Sequence, residues 1–219
     1  MTLNMQPTRR PLSSRNSRWA AAIASLLVRR GIRPNLISVA SVIFATFASV
    51  CLWCASHAGK AAVPWLFFGA ALLIQLRLLC NLFDGMVAIE GGFKTKSGEI
   101  FNELPDRFAD ALILIGAGYS HTTSGWMPLL GWLGAVLAVL TAYVRTLGAS
   151  VGASQQFCGP MAKPHRMAVL TVACVGSAAL AWFKVEFALI PLALALIVVG
   201  CAVTVFRRAR RIIQELEQQ

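Results

Sequence analysis

Charge is scarce in this chain. Only 13% of its 219 residues are charged, 57% are hydrophobic, and mean hydropathy is +0.67. Soluble domains carry roughly a quarter charged residues, so a soluble globular domain is excluded. Acidic residues are rarer still: 9 Asp and Glu stand against 20 Lys and Arg, a formal charge of +11. The 6 cysteines form no metal-binding pattern. Cys51 and Cys54 have a C-x-x-C spacing but neither a second pair nor a histidine beside them, and they read as small apolar packing residues. His57, His121 and His165 are isolated. We find no internal repeat, no low-complexity segment and no signal-peptide cleavage pattern.

What the chain does have is long apolar runs. A bilayer crossing takes about 20 helical residues. Segments near Leu36–Ala55, Val63–Ile89, Phe101–Ser120, Trp126–Ala149, Met167–Phe183 and Phe187–Phe206 qualify or nearly so, the fifth being the shortest. Before them, SRWAAAIASLLVRRGIRPN places Trp19, Ile23, Leu26 and Leu27 at helical spacing between arginines. Such a stretch suits the membrane interface; a plain basic leader is the alternative. The expected fold is an all-α membrane protein, with six transmembrane helices preceded by an amphipathic interfacial helix. The expected division is a leader over 1–35, a membrane domain over 36–206 and a basic cytoplasmic tail over 207–219.

The basic residues flank the spans. They gather before span one, at Lys94 and Lys96 between spans two and three, at Lys163 and Arg166 between spans four and five, and at Arg207, Arg208, Arg210 and Arg211 after span six. The positive-inside rule then predicts both termini in the cytoplasm, in a cell's inner (cytoplasmic) membrane. Anionic lipid headgroups are a sufficient partner for this charge. No nucleic-acid partner is expected, because the basic groups do not line one face of a domain.

Against that background, three aspartates on apolar segments need a reason. A charged side chain at the bilayer centre costs about 2.5–3.5 kcal/mol on insertion scales, and such residues usually serve a function. On span two, Arg77, Asn81, Asp84 and Ala88 follow at i, i+4, i+7 and i+11 and share one face. On span three, Asn102, Asp106 and Asp110 follow at i, i+4 and i+8. If the two helices are antiparallel neighbours, Asp84 lies level with Asn102, Asn81 with Asp106, and Arg77 with Asp110. Oxygen-rich side chains from two helices suit a hard divalent cation and the phosphoryl chemistry it supports. Gly85 and Ala88 leave room for a ligand at the backbone of span two. A polar network that merely holds helices together is the alternative.

At these residues the sequence resembles the CDP-alcohol phosphatidyltransferase family. The family pattern Asp-x2-Asp-Gly-x2-Ala-Arg-x8-Gly-x3-Asp-x3-Asp aligns without a gap on Asn81, Asp84, Gly85, Ala88, Ile89, Gly98, Asn102 and Asp106. The first and third family aspartates are asparagine here, and the family arginine is Ile89. The resemblance implies transfer of a phospho-alcohol group from a CDP-linked lipid donor, such as CDP-diacylglycerol, to an alcohol acceptor with release of CMP. It implies two divalent ions, Mg²⁺ or Mn²⁺, on four carboxylates; here the ligands would be Asp84, Asp106, Asn81 and Asn102. Asp106 is also the implied base for the acceptor hydroxyl. Gly85, Ala88 and Gly98 would line the substrate. With no motif arginine, Lys94, Lys96, Arg145 and Arg166 are the candidate cations for the pyrophosphate, although the two lysines serve equally as topology signals. A homodimer is among the expected partners.

Asp110 has no counterpart in the pattern. We expect it to pair with Arg77, leaving two net negative charges at Asp84 and Asp106 for one metal. The alternative is a site displaced by one turn onto Asn81, Asp106 and Asp110. Two other functions stay open: a family member that binds nucleotide or lipid without turnover, and a small ion-coupled transporter.

Overall fold

The structure is a computed structural model and describes residues 17–93, 98–121, 125–185 and 188–218. The described residues form seven helices: α1 (Arg18–Arg29), α2 (Pro34–Ala55), α3 (Val63–Glu90), α4 (Gly98–Gly118), α5 (Met127–Ser150), α6 (Lys163–Trp182) and α7 (Leu189–Leu216). Proline stands in the first turn of α2, α3, α5 and α6. There its missing N–H costs nothing and its fixed φ favours the helix. Gly31 and Gly92 take positive φ (71° and 65°) just after α1 and α3, a conformation that only glycine adopts freely.

Five helices, α2, α3, α5, α6 and α7, are long and apolar enough to cross a membrane. The sixth expected span, α4, has 21 residues, about 31 Å of helix. It is not among the five, and it carries Glu99, Glu103, Asp106, Arg107 and Asp110. The expectation of six spans is therefore matched by five on length and composition. The end of the last span differs: α7 runs unbroken from Leu189 to Leu216, past the expected end at Phe206 and through the basic cluster that follows it.

The long helices close a ring in the order α3, α2, α4, α5, α7, α6 and back to α3. Thus α3 and α4 are not the ring neighbours expected. α2 stands between them, and they touch only over a short stretch. Small residues draw α4 inward. A Cβ on Gly116 would lie 2.4 Å from Ser49 Oγ of α2, and one on Gly118 would lie 3.0 Å from Gly131 Cα of α5. Close approach of this kind is how helices pack without a hydrophobic driving force. Leu52, Ile74, Ile113, Leu114, Leu194 and Ile197 fill the ring's interior. α1 lies outside the ring, with Ala20 and Ala24 buried against Leu82, Phe83, Met86 and Val87. Its Trp19, Ile23 and Leu26 remain exposed, Trp19 meeting Phe83 edge-on.

Candidate active site

Where α3, α4 and α6 converge, six polar side chains form one network in two layers. The layer farther from the α3–α4 connection is built on Asp110, which is 1% exposed. Its Oδ1 accepts from Arg77 Nη2 at 2.6 Å and its Oδ2 from Arg166 Nη2 at 2.8 Å. Arg166 also donates to Met161 O at 3.1 Å and Thr141 Oγ1 at 3.3 Å. The Arg77–Asp110 contact has the expected partners, but it is half of a triad. Arg166, expected at the substrate, is 1% exposed and occupied here.

One turn nearer the connection, Asp106 is held from every side. Asn81 Nδ2 lies 2.8 Å from both of its carboxylate oxygens. Arg77 Nη2 reaches Oδ1 and the Asp106 backbone oxygen, each at 3.3 Å, and the Lys163 ammonium pairs with Oδ2. Lys163 Nζ also donates to Asn81 Oδ1 at 2.6 Å. Asn81 thus turns its amide to the carboxylate and its carbonyl to the ammonium, the orientation that suits both charges. A carboxylate offers about four lone-pair sites, and these donors use all of them. Asn102 Oδ1 stands only at the limit of contact, 3.5 Å from Asn81 Nδ2.

Asp84 is placed differently. It is 4% exposed, and its Oδ2 accepts from Ser38 Oγ of α2 at 2.9 Å. Its Oδ1 is buried without a partner. A lone carboxylate oxygen in a dry setting is costly unless a cation completes it. Among the described residues, no three His, Cys, Asp or Glu side chains are grouped to hold a metal. The bare oxygen of Asp84 is the carboxylate position open to a cation. As folded, Asn81 and Asp106 are committed to other partners.

The remaining candidates fall around this centre. Gly85 is buried on α3 and Ala88 half-buried, whereas Ile89, at the family's arginine position, is 53% exposed. Gly98 opens α4. Arg145 donates to Glu103 Oε1 at 2.8 Å, and its guanidinium lies 5.3 Å from the Phe157 ring centroid. Glu103 also pairs with Arg107. Lys94 and Lys96 lie outside the described residues. His121 is remote from the network; burial holds its pKa below the usual value.

The sequence reading missed Lys163, Ser38 and Arg208. Lys163 and Arg166 are three apart at the start of α6 and so share a face, a signal that was present once Arg166 was singled out. Arg208 had been read as a tail charge, yet it is 5% exposed and donates through Nε to Cys158 O at 2.9 Å and through Nη1 to Thr141 O. Ser38 carried no signal beyond its place one turn into α2.

No protein-family model matches the chain. It is 24% identical over 197 residues to a phosphatidylinositol phosphate synthase of Streptomyces avermitilis, covering 88% of this chain and 77% of that protein. Among solved structures it resembles the Mycobacterium tuberculosis phosphatidylinositol phosphate synthase with CDP-DAG bound, at TM-score 0.72 and 18% identity, over 90% of this chain and 94% of that one. The same synthase with manganese and citrate superposes at TM-score 0.69 and 17% identity, over 88% of each chain. The chain has the fold of these synthases. The likeness of fold covers 90% of the chain, in keeping with a resemblance expected over most of it.

Proposed function

We propose that this protein is a CDP-alcohol phosphatidyltransferase of phospholipid synthesis, moving the phospholipid moiety of CDP-diacylglycerol to a hydroxyl acceptor and releasing CMP. The observation that carries this is the ungapped motif on α3 and α4 in a chain with the synthase fold. The acceptor oxygen bonds to the phosphorus distal to cytidine, the bond from that phosphorus to CMP breaks, and the hydroxyl proton goes to Asp106. Asp106 can accept it only when one of its donors leaves. Lys163 is the one on a long unbranched stem, and an ammonium readily turns to a phosphate. Asp84 and Asn102 are the ligands for a single Mg²⁺ or Mn²⁺, which would neutralise charge on the pyrophosphate when bound. Gly85, Ala88 and Gly98 line the donor, and Arg145 meets its phosphates by exchanging Glu103 for them. Lys94 and Lys96 are further cations for the same groups.

In this reading α4 is a sixth span, with Asp106 and Asp110 turned to the ring's interior, and α1 lies in the interface of the inner membrane. Both termini are cytoplasmic. Anionic lipids meet the basic helix ends, and two copies can pair within the bilayer. A second reading keeps the fold and the ligands but not turnover. The complete occupation of Asp106 and the two asparagines at motif positions favour it. The test is metal-dependent CMP release by the purified protein from CDP-diacylglycerol. The acceptor panel would be inositol phosphate, glycerol phosphate and serine. CMP release with one acceptor is the expected result. CDP-diacylglycerol binding without CMP supports the binding reading, and neither result would overturn both.

A further inference from the structure

We infer that Lys163 stands in for a second divalent ion, so that the site takes one metal ion together with a cation built into the chain. This rests on the proposed metal site at Asp84 and deepens it.

Three observations carry the inference. First, the Lys163 ammonium bridges oxygens of two motif positions, Asn81 Oδ1 at 2.6 Å and Asp106 Oδ2. Those are positions the family resemblance gives to metal ligands. An ammonium has three hydrogens; two are used here, and when the one on Asp106 is released it and the third can meet phosphate oxygens. Second, the asparagines remove the charge a second ion would need. Asn81 supplies its carbonyl to Lys163 and its amide to Asp106, so neither end is left for a metal. Third, the buried network is already balanced before the outer cations are counted. Asp84, Asp106 and Asp110 balance Arg77, Lys163 and Arg166 in the network and beside it. One divalent ion adds two positive charges, and a pyrophosphate diester brings about two negative ones. A second divalent ion would leave an excess in a region where uncompensated charge is costly. The free oxygen is on Asp84, not Asp106, so the one metal would be held at Asp84 while the ammonium stays with Asn81 and Asp106.

Mn²⁺ binding to the purified protein, followed by calorimetry and by the loss of the free-ion electron paramagnetic resonance signal, tests this without turnover. The chain should bind one Mn²⁺. Lys163→Met combined with Asn81→Asp and Asn102→Asp should bind two, the second at least about tenfold tighter than any second binding to the unaltered chain. Lys163→Arg should keep a stoichiometry of one, because the charge stays. Thermal unfolding monitored by helical circular dichroism checks that each variant is folded. If the triple variant does not fold, Lys163→Met alone should tighten the first Mn²⁺ by removing a like charge, and an unchanged affinity would overturn the inference. Two ions on the unaltered chain, or two on Lys163→Arg, overturn the role of Lys163 and leave the Asp84 site standing. One ion on the folded triple variant also overturns it. No ion on any of these proteins overturns the inference and the Asp84 site alike.

Discussion

The two polar layers are built on the same helices to opposite ends. Around Asp110, each carboxylate oxygen has its own arginine, at 2.6 and 2.8 Å, and all three side chains are nearly inaccessible. Arginine suits this because its planar fork binds a carboxylate in a fixed geometry and keeps its charge. One turn nearer the connection, Arg77 reaches Asp106 at a longer 3.3 Å and is joined by a lysine on a flexible stem, two residues are neutral amides, and Asp84 keeps an unpartnered oxygen. In the farther layer both oxygens of the carboxylate are bonded, although Arg77 Nε and Nη1 and Arg166 Nε are buried without a hydrogen-bond partner; in the nearer one it is a carboxylate oxygen, on Asp84, that is left bare. Helices α3, α4 and α6 supply both layers, so the difference lies in residue choice. An arginine pair locks three helices together, and the lysine and free carboxylate one turn away leave chemistry open.

The sharpest way to break this comparison is Asp110→Asn. It strands two buried guanidinium groups, and breaking one buried pair typically costs about 3–5 kcal/mol. The variant should lose most of its folded population in detergent, read as a large drop in thermal midpoint. Adding Arg77→Gln should restore only part of the loss, because Arg166 still lacks its partner. A midpoint near that of the unaltered protein would place Asp110 with the ligands and remove the distinction between layers. The converse variant is Asp84→Asn. Its oxygen has no protein partner to lose, so stability should hold while Mn²⁺ affinity and CMP release fall by about 100-fold or more, judged from the 10–100-fold typical of more remote support residues. A loss of stability with CMP release intact would reverse the roles of the layers.

Much of this was legible beforehand, for reasons that can be named. Apolar run length located the long helices to within about four residues at each end, because a span must satisfy its backbone internally; the exception is the end of α7, which continues ten residues past Phe206 to Leu216. Helical periodicity grouped Arg77, Asn81 and Asp84 on one side and Asn102, Asp106 and Asp110 on the other. The ring order was hidden. It depends on which small residues meet, such as Gly116 against Ser49 and Gly118 against Gly131, and neither glycine differs locally from others in the chain. The cations were misjudged for one shared reason. Lys163 and Arg166 sit at the start of α6 and Arg208 just past the apolar part of α7, places where basic residues serve topology or meet a ligand, and three-dimensional packing alone shows them bonded inside the protein.

The smallest effect expected is at Ser38, and it tests whether Asp84 is aimed. Ser38 Oγ donates to Asp84 Oδ2 at 2.9 Å and lies 3.3 Å from Pro34 O in the turn before it. The Pro34 start of α2 thus fixes the serine, and the serine fixes the carboxylate. Hydrogen bonds to charged groups contribute about 1.5–3 kcal/mol, but part of that returns if a water replaces the hydroxyl. Ser38→Ala should leave the fold intact and reduce Mn²⁺ affinity by about tenfold, the lower end for a residue that orients a ligand. Ser38→Thr, which keeps the hydroxyl, should recover most of the affinity. If alanine and threonine weaken Mn²⁺ equally, the space around Asp84 matters more than the hydrogen bond. If neither does, Asp84 is held by α3 alone, and the contrast between a locked layer and an adjustable one would rest on Lys163.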